Sequence, residues 1–207
     1  MPFARKVNAS ITPSENSLLS KSPLLFDVLD KIDPKKRYEI LDTGPASSDS
    51  LEFLSQYWCK IHISDSRNSL CELNTEKLDT PYKLNRALVK SLMLYKNKKS
   101  NLDCLFFWDL LNYLQPDIFP ALIDYLLTHT HQNTVLHCYL YTSSLMPESP
   151  GRYHILENKQ VRIENNSPVT RKCPTYYQGA LNKLTYPFKA KRSILHSNGM
   201  QEYLLTR

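Results

Sequence analysis

The sequence predicts an α/β fold: a mostly parallel sheet covered by helices on both faces, with an antiparallel hairpin strand at one edge. Two patterns carry this. Apolar runs of strand length alternate with segments of helical period from residue 38 onward, and Asn198-Gly199 sits between the last two extended runs as a hairpin turn. A third observation concerns position: the runs ending at Asp42, Asp65 and Asp109 each finish on an acid. In an open parallel sheet those ends share one edge, where ligands bind.

The elements follow in order. Residues 1–22 mix Ser, Asn, Pro and Lys without apolar periodicity and read as a flexible arm ahead of a single domain over 23–207. Ser22 is a candidate N-cap and Pro23 the first residue of a helix carrying Leu24, Leu25, Val28, Leu29 and Ile32. YEILD then reads as a buried strand running into Thr43-Gly44, and Ser47 to Ser50 offer caps for a helix with Leu51, Phe53 and Leu54. CKIHISD is the second strand of the sheet. No strand is predicted between Ser66 and Pro81. Leu84, Leu88, Ser91 and Leu92 mark an amphipathic helix, and LDCLFFWD is the most apolar strand. A turn of helix at LLNYL, a helix after Pro116 and a strand over NTVLHCYLY follow. The stretch from Leu145 to Pro174 is rich in Pro, Glu, Asn and Arg, with a short strand at YHILE, and reads as a long excursion over the surface. A helix from Thr175 and the closing hairpin complete the chain.

Composition excludes several classes. With 42% hydrophobic and 22% charged residues, the 207-residue chain has the make-up of one globular domain. The most apolar segment, Leu102 to Leu114, is broken by Asp103, Asp109 and Asn112, so no membrane span is expected. The first ten residues lack the apolar core of a secretory signal, and a cytoplasmic location is expected. Five cysteines without C-x-x-C spacing argue against a disulfide framework, and with the scattered histidines they argue against a metal site. The formal net charge of +6 is gathered in short clusters: Lys35-Lys36-Arg37, Lys96 with Lys98-Lys99, Arg171-Lys172, and Lys189 with Lys191-Arg192. Such clusters steer anionic partners. Glycine is scarce, 4 residues against an average of about 7%, so any backbone cradle for a ligand is a reduced one.

A glycine turn after the first strand of the sheet and an acid about twenty residues further on suit a nucleoside-containing ligand. ILDTGPAS, the Asp65 strand end and DCLFFWDLLNYL resemble motifs of the class I S-adenosylmethionine-dependent methyltransferases, over about residues 36 to 207. The resemblance implies a three-layer, Rossmann-like sheet ending in an antiparallel hairpin strand, with S-adenosylmethionine as cofactor. It assigns Asp42, Gly44, Ala46, Asp65 and Trp108 to cofactor binding, and Asp109 and Asn112 to orienting or deprotonating the methyl acceptor.

Two other readings come from the same residues. The turn Gly44-Pro45-Ala46-Ser47-Ser48 keeps one glycine, which suits a catalytically inactive protein of this fold that binds a protein partner or regulates. Side chains of Pro45, Ser47 or Trp108 filling the crevice would mark that case. Nucleic-acid binding through Lys189, Lys191, Arg192, Tyr186 and Phe188 is the third reading, and it requires affinity that falls with salt.

Overall fold

The computed structural model describes residues 17–73, 78, 80–94, 100–165 and 167–207. The Lys96, Lys98 and Lys99 cluster and residues 1–16 of the expected arm lie outside them. The first half of the chain forms β1 (Ser17–Lys21), α1 (Pro23–Leu29), β2 (Tyr38–Asp42), α2 (Ser48–Leu54), β3 (Cys59–Ile63), α3 (Arg67–Cys71), α4 (Pro81–Leu92) and β4 (Leu102–Trp108). After a 3-10 turn at Leu110–Tyr113 come α5 (Ile118–Leu127), β5 (Thr130–Tyr141), β6 (Leu145–Pro147), β7 (Arg152–Leu156), β8 (Gln160–Glu164), β9 (Thr170–Lys172), α6 (Gln178–Leu184), β10 (Lys189–Leu195) and β11 (Met200–Thr206).

The central sheet has the order β10-β11-β5-β4-β2-β3. Strands β2, β3, β4 and β5 run parallel, and β11 lies antiparallel between β5 and β10. This is the expected Rossmann-like, mostly parallel sheet with an antiparallel hairpin strand. Strand order reverses between β2 and β4, because β3 continues outward from β2 and β5 outward from β4. That gap is the topological switch point.

All seven residues of β4 are buried, as a central parallel strand covered on both faces requires. Alternation then divides its side chains. Leu105 and Phe107 pack with Leu41, Leu136, Leu140 and Leu205 beneath α4, α5 and α6. Cys104, Phe106 and Trp108 pack on the other face with Leu25, Leu29, Ile40 and Leu54. The second cluster also takes in Tyr153, Ile155, Val161 and Ile163, so part of that outer layer is β-sheet rather than helix.

This corrects two expectations. The stretch 145–174 is not a surface excursion: β7 and β8 form a hairpin that pairs with β1 in the order β1-β8-β7, and β6 pairs with β9. Alternate residues Tyr153, Ile155, Val161 and Ile163 are buried while His154, Leu156, Arg162 and Glu164 stay partly exposed. Residues 17–22 are not a loose arm either. Ser17 pairs opposite Glu164 and Lys21 opposite Gln160, and Ser22 is fully buried.

Smaller differences have local causes. Strand β5 starts at Thr130 because Leu102 pairs there. The last helix begins at Gln178 rather than Thr175. Ser22 holds the N-cap position of α1 without capping it: its hydroxyl donates instead to Glu202 at 2.6 Å. The carboxylate of Glu202 also accepts from the Leu25 amide at 3.0 Å, His137 Nε2 at 2.8 Å and His196 Nε2 at 3.0 Å, and Tyr139 donates to Ser22 at 2.6 Å. A fully buried acid thus ties α1 to β5 and β11.

Candidate functional site

The switch point brings the end of β2 beside the end of β4. Asp42 closes β2, and its Oδ1 accepts from the Gly44 amide at 2.8 Å and from Trp108 Nε1 at 2.6 Å. The indole lies against the glycine: a Cβ on Gly44 would stand 3.1 Å from Trp108 Nε1 and 3.1 Å from the Asp42 carboxylate. A side chain there would have to push the indole and the Asp42 carboxylate back by a few tenths of an ångström. Trp108 is 2% exposed and stacks on Tyr153 with ring centroids 4.9 Å apart and planes at 10°, and Tyr153 stacks in turn on Tyr139 at 5.5 Å. Three aromatic rings fill the space above the turn.

The hairpin of β7 and β8 is fastened over this column. Ser47, the N-cap of α2, accepts from the Ser50 amide at 3.3 Å and bonds to His154 Nδ1 at 2.7 Å. Ser50 Oγ accepts from the Ile155 amide at 2.9 Å, and Arg162 meets Asp49 at 2.5 Å. Serines expected as caps therefore also clamp the cover.

Asp109 follows β4 and is 1% exposed. Its Oδ2 accepts from the Gly151 amide at 3.1 Å and from the Tyr141 hydroxyl at 3.2 Å, while Oδ1 is buried without a hydrogen-bond partner. Gly151 is a second tight position, since a Cβ would meet Asn165 Oδ1 at 2.9 Å and the Tyr153 ring at 3.2 Å and would displace the asparagine side chain. Asn112 is equally occupied: its amide nitrogen donates to the carbonyls of Asp109 at 2.7 Å and Tyr139 at 3.0 Å, and its oxygen accepts from the Tyr141 amide at 3.0 Å.

Asp65 stands apart in character. It follows β3 with φ 37°, its amide bonded to the Gly44 carbonyl at 3.2 Å. Its exposed carboxylate accepts from Arg67 Nε at 3.1 Å. Ala46 is exposed beside it on the turn. Of the residues assigned to the cofactor, Asp65 and Ala46 thus face solvent, while Asp42, Gly44 and Trp108 are closed in. Tyr153, His154 and Gly151, which the sequence reading did not single out, complete the closure. Their signal lay in the Tyr153-Ile155 alternation and in the presence of one of the chain's four glycines. For the nucleic-acid reading, Phe188 is 0% exposed and unable to stack on a base, whereas Tyr186 is exposed under Lys189.

Burial pushes the Asp42 carboxyl up to about 6, against the bonds from Trp108 and Gly44 that favour its charged form. Burial does the same to Asp109, also to about 6, against the Gly151 amide and Tyr141 hydroxyl. A carboxyl raised on folding contributes stability that is complete below its ordinary value of 3.8 and is lost as pH rises through 6. Asp42→Asn keeps the acceptor oxygen and removes the titration. The decline of its thermal midpoint between about pH 4 and pH 7 is expected to be shallower than that of the parent protein; parallel declines would refute the assignment.

No family model and no curated protein matches the chain. Among solved structures it is similar to the 1,6-didemethyltoxoflavin-N1-methyltransferase of Burkholderia thailandensis bound to S-adenosylhomocysteine, at 11% identity and TM-score 0.48, covering 89% of this chain and 75% of that one. TehB from Haemophilus influenzae matches at 15% identity and TM-score 0.48 over 88% of this chain, which spans only 61% of TehB. The glycopeptide N-methyltransferase MtfA in complex with S-adenosylmethionine matches at 10% identity and TM-score 0.44, covering 87% and 91%. The strand order, with β11 antiparallel between β5 and β10 and acids at the ends of β2, β3 and β4, decides the architecture. The fold is a Rossmann-like, mostly parallel sheet with an antiparallel hairpin strand. At the switch point of this sheet Trp108 and Tyr153 stack on each other. Among the described residues no group of three or more His, Cys, Asp or Glu is placed to hold a metal ion, and no helix is long and apolar enough to cross a membrane.

Proposed function

We propose that this is a methyltransferase-fold protein that acts by binding a partner or regulating one, not by methyl transfer. The observation that carries the reading is the Trp108–Tyr153 stack over Gly44, which puts a 2% exposed indole against the turn where a cofactor's backbone contacts would form. Methyl transfer needs the donor held in line with its acceptor, and orientation of that kind requires an open, shaped cavity. The separate β6–β9 pair that flanks this hairpin in sequence also offers a surface: Leu145 and Val169 are exposed at 55% and 57% beside the cations Arg171 and Lys172.

Calorimetric titration with S-adenosylmethionine and S-adenosylhomocysteine tests the reading. No saturable heat at millimolar ligand is expected. A one-to-one isotherm that disappears in Asp65→Ala would overturn it.

One observation favours a second reading, in which S-adenosylmethionine is the cofactor and the hairpin of β7 and β8 lifts to admit it. Asp109 Oδ1 lies buried outside the bonds from Gly151 and Tyr141, and with the Tyr153 hydroxyl, its neighbour on that carboxyl, carried away by the hairpin it could take a ligand's donor. On this reading Asp65 holds the ribose, Asp42, Gly44 and Ala46 line the turn, and Asp109 with Asn112 positions the acceptor. The same titration separates the two.

A further inference from the structure

The basic clusters at residues 35–37 and 189–192 are about 150 residues apart in sequence, and the fold brings them to one place. A cleft of about 560 Å³ opens at the N-terminal edge of the parallel strands, the edge opposite the switch point. Its floor is the start of β2, β4 and β5 and the end of β11, at Tyr38, Cys104, Val135 and Leu204, and α1 with the residues after it forms a wall through Val28 and Ile32.

The charges around this cleft do not cancel. Asp103 is already taken, accepting from Lys36 Nζ at 3.1 Å, the Glu39 amide at 2.9 Å and His131 Nε2 at 3.2 Å. Its hydrogen bond to Lys36 raises the lysine pKa and keeps it charged. Asp27 is taken by Arg192. Lys31 and Lys191 line the cleft, are exposed, and have no carboxylate partner among the described residues. The side chain of Arg207 reaches only neutral oxygens, the Thr130 carbonyl at 2.7 Å and its hydroxyl at 3.1 Å.

A local irregularity puts two of these cations on the same side. In a regular strand Lys191 and Arg192 would face opposite ways. The pairing of β10 with β11 shifts between Ala190, opposite Leu205, and Arg192, opposite Leu204, so Lys191 is the extra residue of a β-bulge. A bulge turns the two adjacent side chains toward one face, and both line the cleft.

We propose that this cleft binds a phosphorylated small molecule of about nucleotide size, its phosphate groups on Lys31 and Lys191 beside the Arg192–Asp27 pair and its apolar part against Val28, Ile32 and Leu204. The volume is within the range of about 300 to 1,000 Å³ usual for small-ligand sites, and a mixed apolar floor with a few convergent cations suits an organic phosphate. The inference stands independently of what happens at the other edge of the sheet.

Calorimetric titration with ADP, inorganic pyrophosphate and adenosine is the test. ADP is expected to bind saturably at one site, pyrophosphate more weakly, and adenosine not at all, with ADP affinity falling as salt rises. Lys31→Glu with Lys191→Glu should weaken ADP at least tenfold. Arg86→Glu with Lys90→Glu on α4, an equal change of net charge on another face, should leave it unchanged. Absence of ADP binding at millimolar concentration, or an equal loss in both double variants, would overturn the proposal. So would a single-stranded oligonucleotide that displaces ADP with affinity growing with length, since that marks a nucleic-acid surface.

Discussion

Glu202→Ala is expected to destabilise the protein by about 3 to 5 kcal/mol, the scale for breaking a buried, fully hydrogen-bonded ionic group. The alanine leaves the Ser22 hydroxyl, the Leu25 amide, His137 Nε2 and His196 Nε2 without their acceptor. Burial alone would raise the Glu202 pKa, yet the bonds from His137, Ser22 and Leu25 outweigh it and hold the group down to about 2 from its ordinary 4.5. A depressed carboxyl contributes stability that is complete above its ordinary value and is lost as pH falls through its folded one. Urea unfolding of Glu202→Gln should therefore show a shallower loss of stability below about pH 4.5 than the parent protein. A Glu202→Ala variant within about 1 kcal/mol of the parent would mean the network carries little energy.

Trp108→Ala should cost about 3 to 5 kcal/mol, the range for truncating a large buried aromatic. Backbone conformation sharpens this into a test of sign. Trp108 has φ 49°, in the left-handed region where a residue with a Cβ is strained by about 1 to 2 kcal/mol. Glycine normally weakens a strand relative to alanine. Here Trp108→Gly is expected to be the more stable of the two truncations, by about 1 kcal/mol. Alanine at least as stable as glycine would show that the strain is not there. The stack adds a coupling: Trp108→Ala and Tyr153→Ala should be non-additive by about 0.5 to 3 kcal/mol in a double-mutant cycle.

The central sheet was legible in the sequence because its signals are strong and local. LDCLFFW is apolar but for Asp103 near its start, as suits a strand buried on both faces, and Asn198-Gly199 marks the sheet's hairpin directly. The hairpin of β7 and β8 was not legible in the same way. Only Tyr153, Ile155, Val161 and Ile163 face inward, and the charged residues between them give the segment the composition of a loop. Strand β1 was harder still, since SLLSK pairs at an edge and leaves Leu18 and Leu19 exposed. At the crevice, Asp42, Gly44 and Asp109 stand at the strand ends where their types and spacing put them. What surrounds them, Tyr153 above Trp108 and Gly151 beside Asp109, comes from a segment 40 or more residues onward and is fixed by tertiary packing. No spacing rule reaches across that distance.

The pairing of β1 with β8 also bears on how the chain is assembled. Ser17 meets Glu164, and Ser22 meets Glu202 across 180 residues of sequence. As the polypeptide leaves the ribosome, β1 has no strand to pair with until residues 160–164 have emerged, and Ser22 has no buried acceptor until residue 202 has. The exposed Leu18 and Leu19 wait until Arg162 and Ile163, their partners in β8, have been made. Loop closures of that length are slow, and an unpaired apolar strand is open to the wrong neighbour meanwhile. β8 fastens β1, and β11 then supplies the buried acid that fastens the turn from β1 into α1.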